Sequence, residues 1–154
     1  MQENSYIQVL IQSLHQKVEA LDSIIEKNQE QYEILSAEEA DMDAFEKNID
    51  EKSQYIDKIV FLDDGFEEIY TRVKEELDGN RAAYTEEIQK MKDLISMITE
   101  RSMKIQVQEQ RNKELAGMQF SKARKKIRQV KAGNKAATQY YKLSLIHISE
   151  PTRH

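Results

Sequence analysis

The chain has 154 residues, of which 39% are hydrophobic and 33% charged, with a formal net charge of −5. It has no cysteine, which excludes disulfides, thiolate zinc sites and a thiol nucleophile. Four glycines and one proline provide too few turns for a many-stranded sandwich or barrel, and the lean apolar content suits long helices that each bury a narrow stripe. No apolar run nears the roughly 18 residues of a membrane span and no signal peptide opens the chain, so a cytoplasmic protein is expected.

Apolar residues first recur at helical spacing in Ile7, Leu10, Ile11, Leu14, Val18, Leu21, Ile25, Tyr32 and Leu35, predicting a helix over about 5–35 with Asn4 or Ser5 as its cap. After the connection Ser36–Ala40, Asp41 or Asp43 offers the next cap, and acids crowd the following turn as the helix dipole prefers. Met42, Phe45, Ile49, Ile56, Ile59, Val60, Phe66, Ile69, Tyr70, Val73 and Leu77 then form a second stripe over about 41–77. Gly65 interrupts it, but Leu62, Phe66, Ile69 and Val73 keep phase on both sides, so a tolerated glycine or a kink is expected rather than a turn.

Asp78-Gly79-Asn80 is the strongest turn signal, with Gly79 suited to a left-handed helix end and Asn80 to capping the next helix. The third helix, about 80–131, carries Tyr84, Ile88, Met91, Leu94, Ile95, Ile98, Ile105 and Leu115. Its stretch from Arg101 to Asn112 is polar, so weaker packing is expected there, and residues 131–142 read as frayed. The last twelve residues, LSLIHISEPTRH, break the pattern and resemble a translated sequencing adapter. Setting them aside leaves one histidine, His15, no proline, and an expected single helical domain over 1–142 whose natural end lies beyond Lys142. The short connections predict an all-α fold, an antiparallel bundle of three long helices. A helix of about 37 residues spans roughly 55 Å. The third helix therefore reaches the far end of the second near residue 117, and the residues beyond that point project or fold back.

The mild net charge hides a division. Residues 1–78 hold 21 acidic and 7 basic residues, and residues 79–142 hold 15 basic and 6 acidic ones. One reading is that opposite charges pair across the bundle seam and help set its register. After Glu114 no acid occurs before the terminal segment, and Lys122, Arg124, Lys125, Lys126, Arg128 and Lys131 accumulate there. A basic helix of this kind can serve a polyanion or a partner helix. Aromatic residues are not interleaved with the basic ones, so nucleic acid is not the expected partner.

Catalytic or metal chemistry has no support in the chain. His15 has only Glu19 at helical spacing, which reads as a surface pair, and Glu-x-x-His motifs, a glycine-rich phosphate loop and a Ser/His/Asp set are lacking. No enzyme and no cofactor are expected.

The stretch from Asp41 to Leu77, with its run Lys52, Ile56, Ile59, Leu62, Asp63, together with Leu10–Gln31 of the first helix and the basic third helix, resembles small flagellar export chaperones of the FlgN and FliT kind. The resemblance spans about residues 5–142. It implies a cytoplasmic helical protein that binds hook-associated or filament-cap subunits, prevents their premature assembly and delivers them to the type III export gate. It further implies that Ala116, Phe120, Ala123, Ile127 and Val130 hold the partner, and that Tyr140 and Tyr141 are candidates for gate docking. A structural coiled-coil or scaffold protein forming a homodimer, and a polyanion binder using the basic segment, are the alternatives.

Overall fold

A computed structural model of the protein describes residues 5–141, with side chains to residue 133. The LSLIHISEPTRH segment and the side chains of Tyr140 and Tyr141 lie outside the described residues. The elements are α1 (Tyr6–Leu35), α2 (Met42–Asp64), α3 (Phe66–Leu77), a 3₁₀ turn (Arg81–Tyr84) and α4 (Thr85–Tyr141), with no strand among the described residues. The fold is all-α, a helical bundle. Two compact units are distinguished, Met1–Lys113 and Glu114–His154, and the packing described below is that of the first.

Local chemistry sets the helix boundaries. Ser5 caps α1 by accepting from the Gln8 backbone N–H at 3.2 Å, and Asp41 caps α2 by accepting from Asp43 and Ala44, each at 3.1 Å. A second donor of the first turn of α1, the Ile7 N–H, is satisfied from a distance by Glu76 Oε1 at 3.0 Å, which ties the start of α1 to the end of α3. Gly65 divides the second predicted helix into α2 and α3 with a one-residue break at φ −97° and ψ 7°. The Ile69 N–H still donates to the Gly65 carbonyl at 3.3 Å, so the chain kinks and continues. Gly79 takes φ 71°, as the turn requires. Asn80 differs from expectation: its side chain caps nothing, and its carbonyl instead accepts from the Ala83 N–H at 3.1 Å in the 3₁₀ turn, which delays α4 to Thr85. Helix α4 is unbroken at Gly117 and runs through the stretch expected to fray.

The partners of α1 give the helix directions. Ile7, Lys17, Lys27 and Gln31 meet Glu76, Asp63, Glu51 and Asn48 in turn, so α2 and α3 run antiparallel to α1. Asp22 meets Arg101 and Asn28 meets Gln108, so α4 runs parallel to α1. Helix α1 is therefore the shared spine. Its positions 7, 14, 21, 28 and 35 are spaced by seven, and all five side chains are buried: Ile7, Leu14, Leu21, Asn28 and Leu35.

The core changes character along that spine. At one end Ile7, Leu10, Leu14 and Val18 pack with Val73, Leu77 and Leu94, flanked by Phe66, Ile69, Ile88, Met91 and Ile98. At the other end carboxamides take over. Asn28 Nδ2 donates to Gln108 Oε1 at 3.2 Å, and Gln108 Nε2 donates to the Ile25 carbonyl at 3.2 Å. Asn112 Nδ2 donates to the Asn28 carbonyl at 2.9 Å and to Gln31 Oε1 at 3.1 Å. Gln31 Nε2 donates to Asn48 Oδ1 at 3.0 Å, and Asn48 Nδ2 donates to the Lys27 carbonyl at 2.9 Å. The layer thus crosses all three of α1, α2 and α4. Lys52 pairs with Glu109 beside it, and the Arg111 guanidinium stacks 3.8 Å from the centre of the Tyr32 ring. The polar stretch 101–112 is packed through hydrogen bonds rather than loosely.

Ion pairs cross this seam in both senses. Arg101–Asp22 at 3.0 Å joins the basic part to the acidic part in the expected sense, whereas Lys52–Glu109 joins them in the opposite one. Lys27–Glu51 at 2.7 Å lies within the acidic part. Its hydrogen bond holds the Lys27 ammonium above its ordinary value, with the Glu30 carboxylate adding to the effect, and holds the Glu51 carboxyl below its own. His15 and Glu19 pair at 3.5 Å on the surface.

Two substitutions separate the glycines. A Cβ at Gly65 meets nothing within 4 Å and its φ is negative, so Gly65→Ala is expected to stabilise by about 0.5–1 kcal/mol through the unfolded chain. Gly79→Ala, at positive φ, is expected to cost about 1 kcal/mol. Urea unfolding of both checks this, and equal effects would contradict it. Asn112→Ala removes the donor to Asn28 and Gln31 at a site 2% exposed, and is expected to cost about 1–3 kcal/mol in the same measurement.

Candidate partner-binding surfaces

Ala116, Phe120, Ala123, Ile127 and Val130 are spaced by four, three, four and three, so at 3.6 residues per turn they form one stripe of α4. Ala116 is half-buried and the other four are exposed, with Ile127 at 55% and Val130 at 61%. Lys122, Arg124, Lys125, Lys126, Arg128 and Lys131 are exposed on the same helix. Arg124, Arg128 and Lys131 fall along one flank of the stripe, and Lys122 and Lys126 along the other. The sequence-predicted residues therefore form one apolar strip edged by cations, suited to an amphipathic helix whose own edges are acidic. Tyr140 and Tyr141 belong to α4, and their side chains lie outside the described residues.

A family profile described as FlgN protein matches residues 1–143. The chain belongs to the FlgN family. FlgN proteins are flagellar export chaperones that bind flagellar subunits, a chaperone family rather than an enzyme family. No curated protein and no solved structure matches the chain. No helix among the described residues of this FlgN protein is long and apolar enough to cross a membrane.

A second surface was not legible from periodicity. The apolar stripe of α2 reads as a core face, yet the buried residues of α2 are Asn48 and Lys52. Ile49 and Ile56 are each 43% exposed, Val60 is 63% and Phe61 is 77% exposed. The face that meets α1 is rotated by about one residue from the apolar one, because Asn48 hydrogen-bonds across to Gln31 and Lys52 pairs with Glu109. Ile49, Ile56 and Val60 are left as a strip of their own. Glu46, Asp50, Asp57 and Asp64 lie in the row beside it, all exposed, and none of the four enters an ion pair among the described residues.

Ile127 and Val130 of the α4 strip are exposed, unlike the core. Ile127→Ala and Val130→Ala are each expected to change stability by less than about 0.5 kcal/mol, whereas Leu14→Ala, 5% exposed, is expected to cost about 2–5 kcal/mol. Thermal unfolding of the three variants gives the comparison, and a large loss at Ile127 would assign that residue to packing.

Proposed function

We propose that this FlgN protein acts in the cytoplasm, binding a hook-associated or filament-cap subunit through Ala116, Phe120, Ala123, Ile127 and Val130. On this reading it keeps the subunit from assembling early and hands it to the type III export gate. The observation that carries the reading is the exposed apolar strip on a helix of a protein whose family is one of export chaperones. Subunits that polymerise through amphipathic helical ends need those ends covered before export. An apolar strip covers the apolar face, and the flanking cations meet acids at its edges. The strip is narrow, one residue wide over about four turns, which suits binding that the gate can reverse. The cations make encounter faster and salt-sensitive. Tyr140 and Tyr141, at the end of α4, are assigned to contact with the gate.

Co-expression with flagellar accessory subunits followed by gel filtration tests this. A co-eluting complex is expected, with at least a tenfold weaker association for Ile127→Asp combined with Val130→Asp, since two buried apolar contacts are each worth about 1.5–3 kcal/mol. Absence of a complex with any such subunit would sink the function. A complex untouched by the double variant would place the contact elsewhere.

A further inference from the structure

Helix α2 has two faces. Toward the seam it buries Asn48 and Lys52, and on another side Met42, Ile49, Ile56 and Val60 stand exposed in one row. Met42, Ile49 and Ile56 are spaced by seven, the repeat with which one helix seats a second along its length. From Met42 to Val60 the row covers about 27 Å at the helical rise, roughly five turns of a partner helix. One flank of the row is closed by the bundle, where Lys52 pairs with Glu109 and Asp63 with Lys17. The other flank is open and carries Glu46, Asp50, Asp57 and Asp64, all exposed and none in an ion pair among the described residues. The remaining lysines of α2, Lys47 and Lys58, fall on the side of the helix opposite the apolar row, so its open edge has one sign of charge.

We propose that this face of α2 docks a helix of a different protein, apolar along one side and basic along the edge that meets Glu46, Asp50, Asp57 and Asp64. The seven-residue spacing calls for a helix rather than an extended segment, because apolar contacts then recur at a matching interval over the whole length. Four carboxylates along a single open edge call for lysine or arginine opposite them, and an acidic helix would be repelled. The apolar row supplies the buried contact, while the carboxylates speed encounter and make binding salt-sensitive. This partner differs in chemistry from the one assigned to α4, whose strip is edged by cations and suits an acidic helix. Docking on α2 therefore stands or falls apart from subunit binding by α4.

The probe is a synthetic helical peptide of about five turns, with leucine at seven- and four-residue spacing, lysine along one flank and glutamine elsewhere. A second peptide carries glutamate in place of each lysine. Fluorescence anisotropy of the labelled peptides against the full chain reads affinity, and circular dichroism confirms that every variant is helical. The lysine peptide is expected to bind about tenfold or more tighter than the glutamate one, and to weaken in molar salt. Asp50→Lys combined with Asp57→Lys is expected to reverse the order of the two peptides. Ile49→Ser combined with Ile56→Ser is expected to weaken the lysine peptide by about tenfold or more. No binding of the lysine peptide, equal binding of both peptides, or binding that the α2 variants do not alter overturns the proposal. A change in the mass of the free chain on Ile49→Ser with Ile56→Ser overturns it as well, since the face would then belong to a second copy.

Discussion

The bundle depends on one residue that is unlike its neighbours. Asn28 occupies the seven-residue repeat of α1 that is otherwise Ile7, Leu14, Leu21 and Leu35, and it is fully buried. A carboxamide there is costly unless it is hydrogen-bonded, and in this alignment its Nδ2 and its backbone carbonyl find partners across the seam. Its side chain fixes Gln108, its backbone carbonyl fixes Asn112, and Asn112 passes the constraint through Gln31 to Asn48 on α2. Sliding α4 by one heptad relative to α1 would part Arg101 from Asp22 and leave these carboxamides buried without their partners. Even in the observed alignment Asn28 Oδ1 and Arg111 Nη2 have no hydrogen-bond partner, so the layer contributes placement at some expense of stability.

That layer explains what could and could not be read from the residues. The stripe of α1 was legible because Ile7, Leu10, Leu14, Val18 and Leu21 are both apolar and buried. The caps at Ser5 and Asp41 and the left-handed Gly79 were legible because each answers a local requirement. On α2 the apolar residues and the buried residues are different sets. Periodicity finds the first, and only the partners across the seam define the second. A signal did exist: Asn28 keeps the seven-residue spacing of the leucines around it, which marks an interior position despite its polarity. Asn80 misled for the opposite reason, since a good capping residue was used for its carbonyl instead.

On the functional side, the strip from Ala116 to Val130 was legible as a face because helical spacing is a local property. Its exposure was not, because exposure depends on what other segments cover. The acidic strip of α2 was hidden by the same limit. The sharp charge division pointed to pairing within the bundle, but most of the carboxylates of α2 face solvent, and the pairs Arg101–Asp22 and Lys52–Glu109 cross the seam in opposite senses.

The direction of α4 has a kinetic consequence. The contacts of α1 with α2 and α3 close as an antiparallel hairpin, with Gln31 and Asn48 only 17 residues apart in the chain. The contacts of α1 with α4 join residues about 80 apart, such as Asn28 and Gln108. Loop closure favours the hairpin first, so α4 docks onto a surface already formed, and the carboxamide layer is completed late. Interactions made after the barrier govern how slowly a protein comes apart rather than how fast it assembles. The layer around Asn112 is therefore expected to bear on how slowly the bundle comes apart, and the Gln31–Asn48 end of the hairpin on how fast it forms.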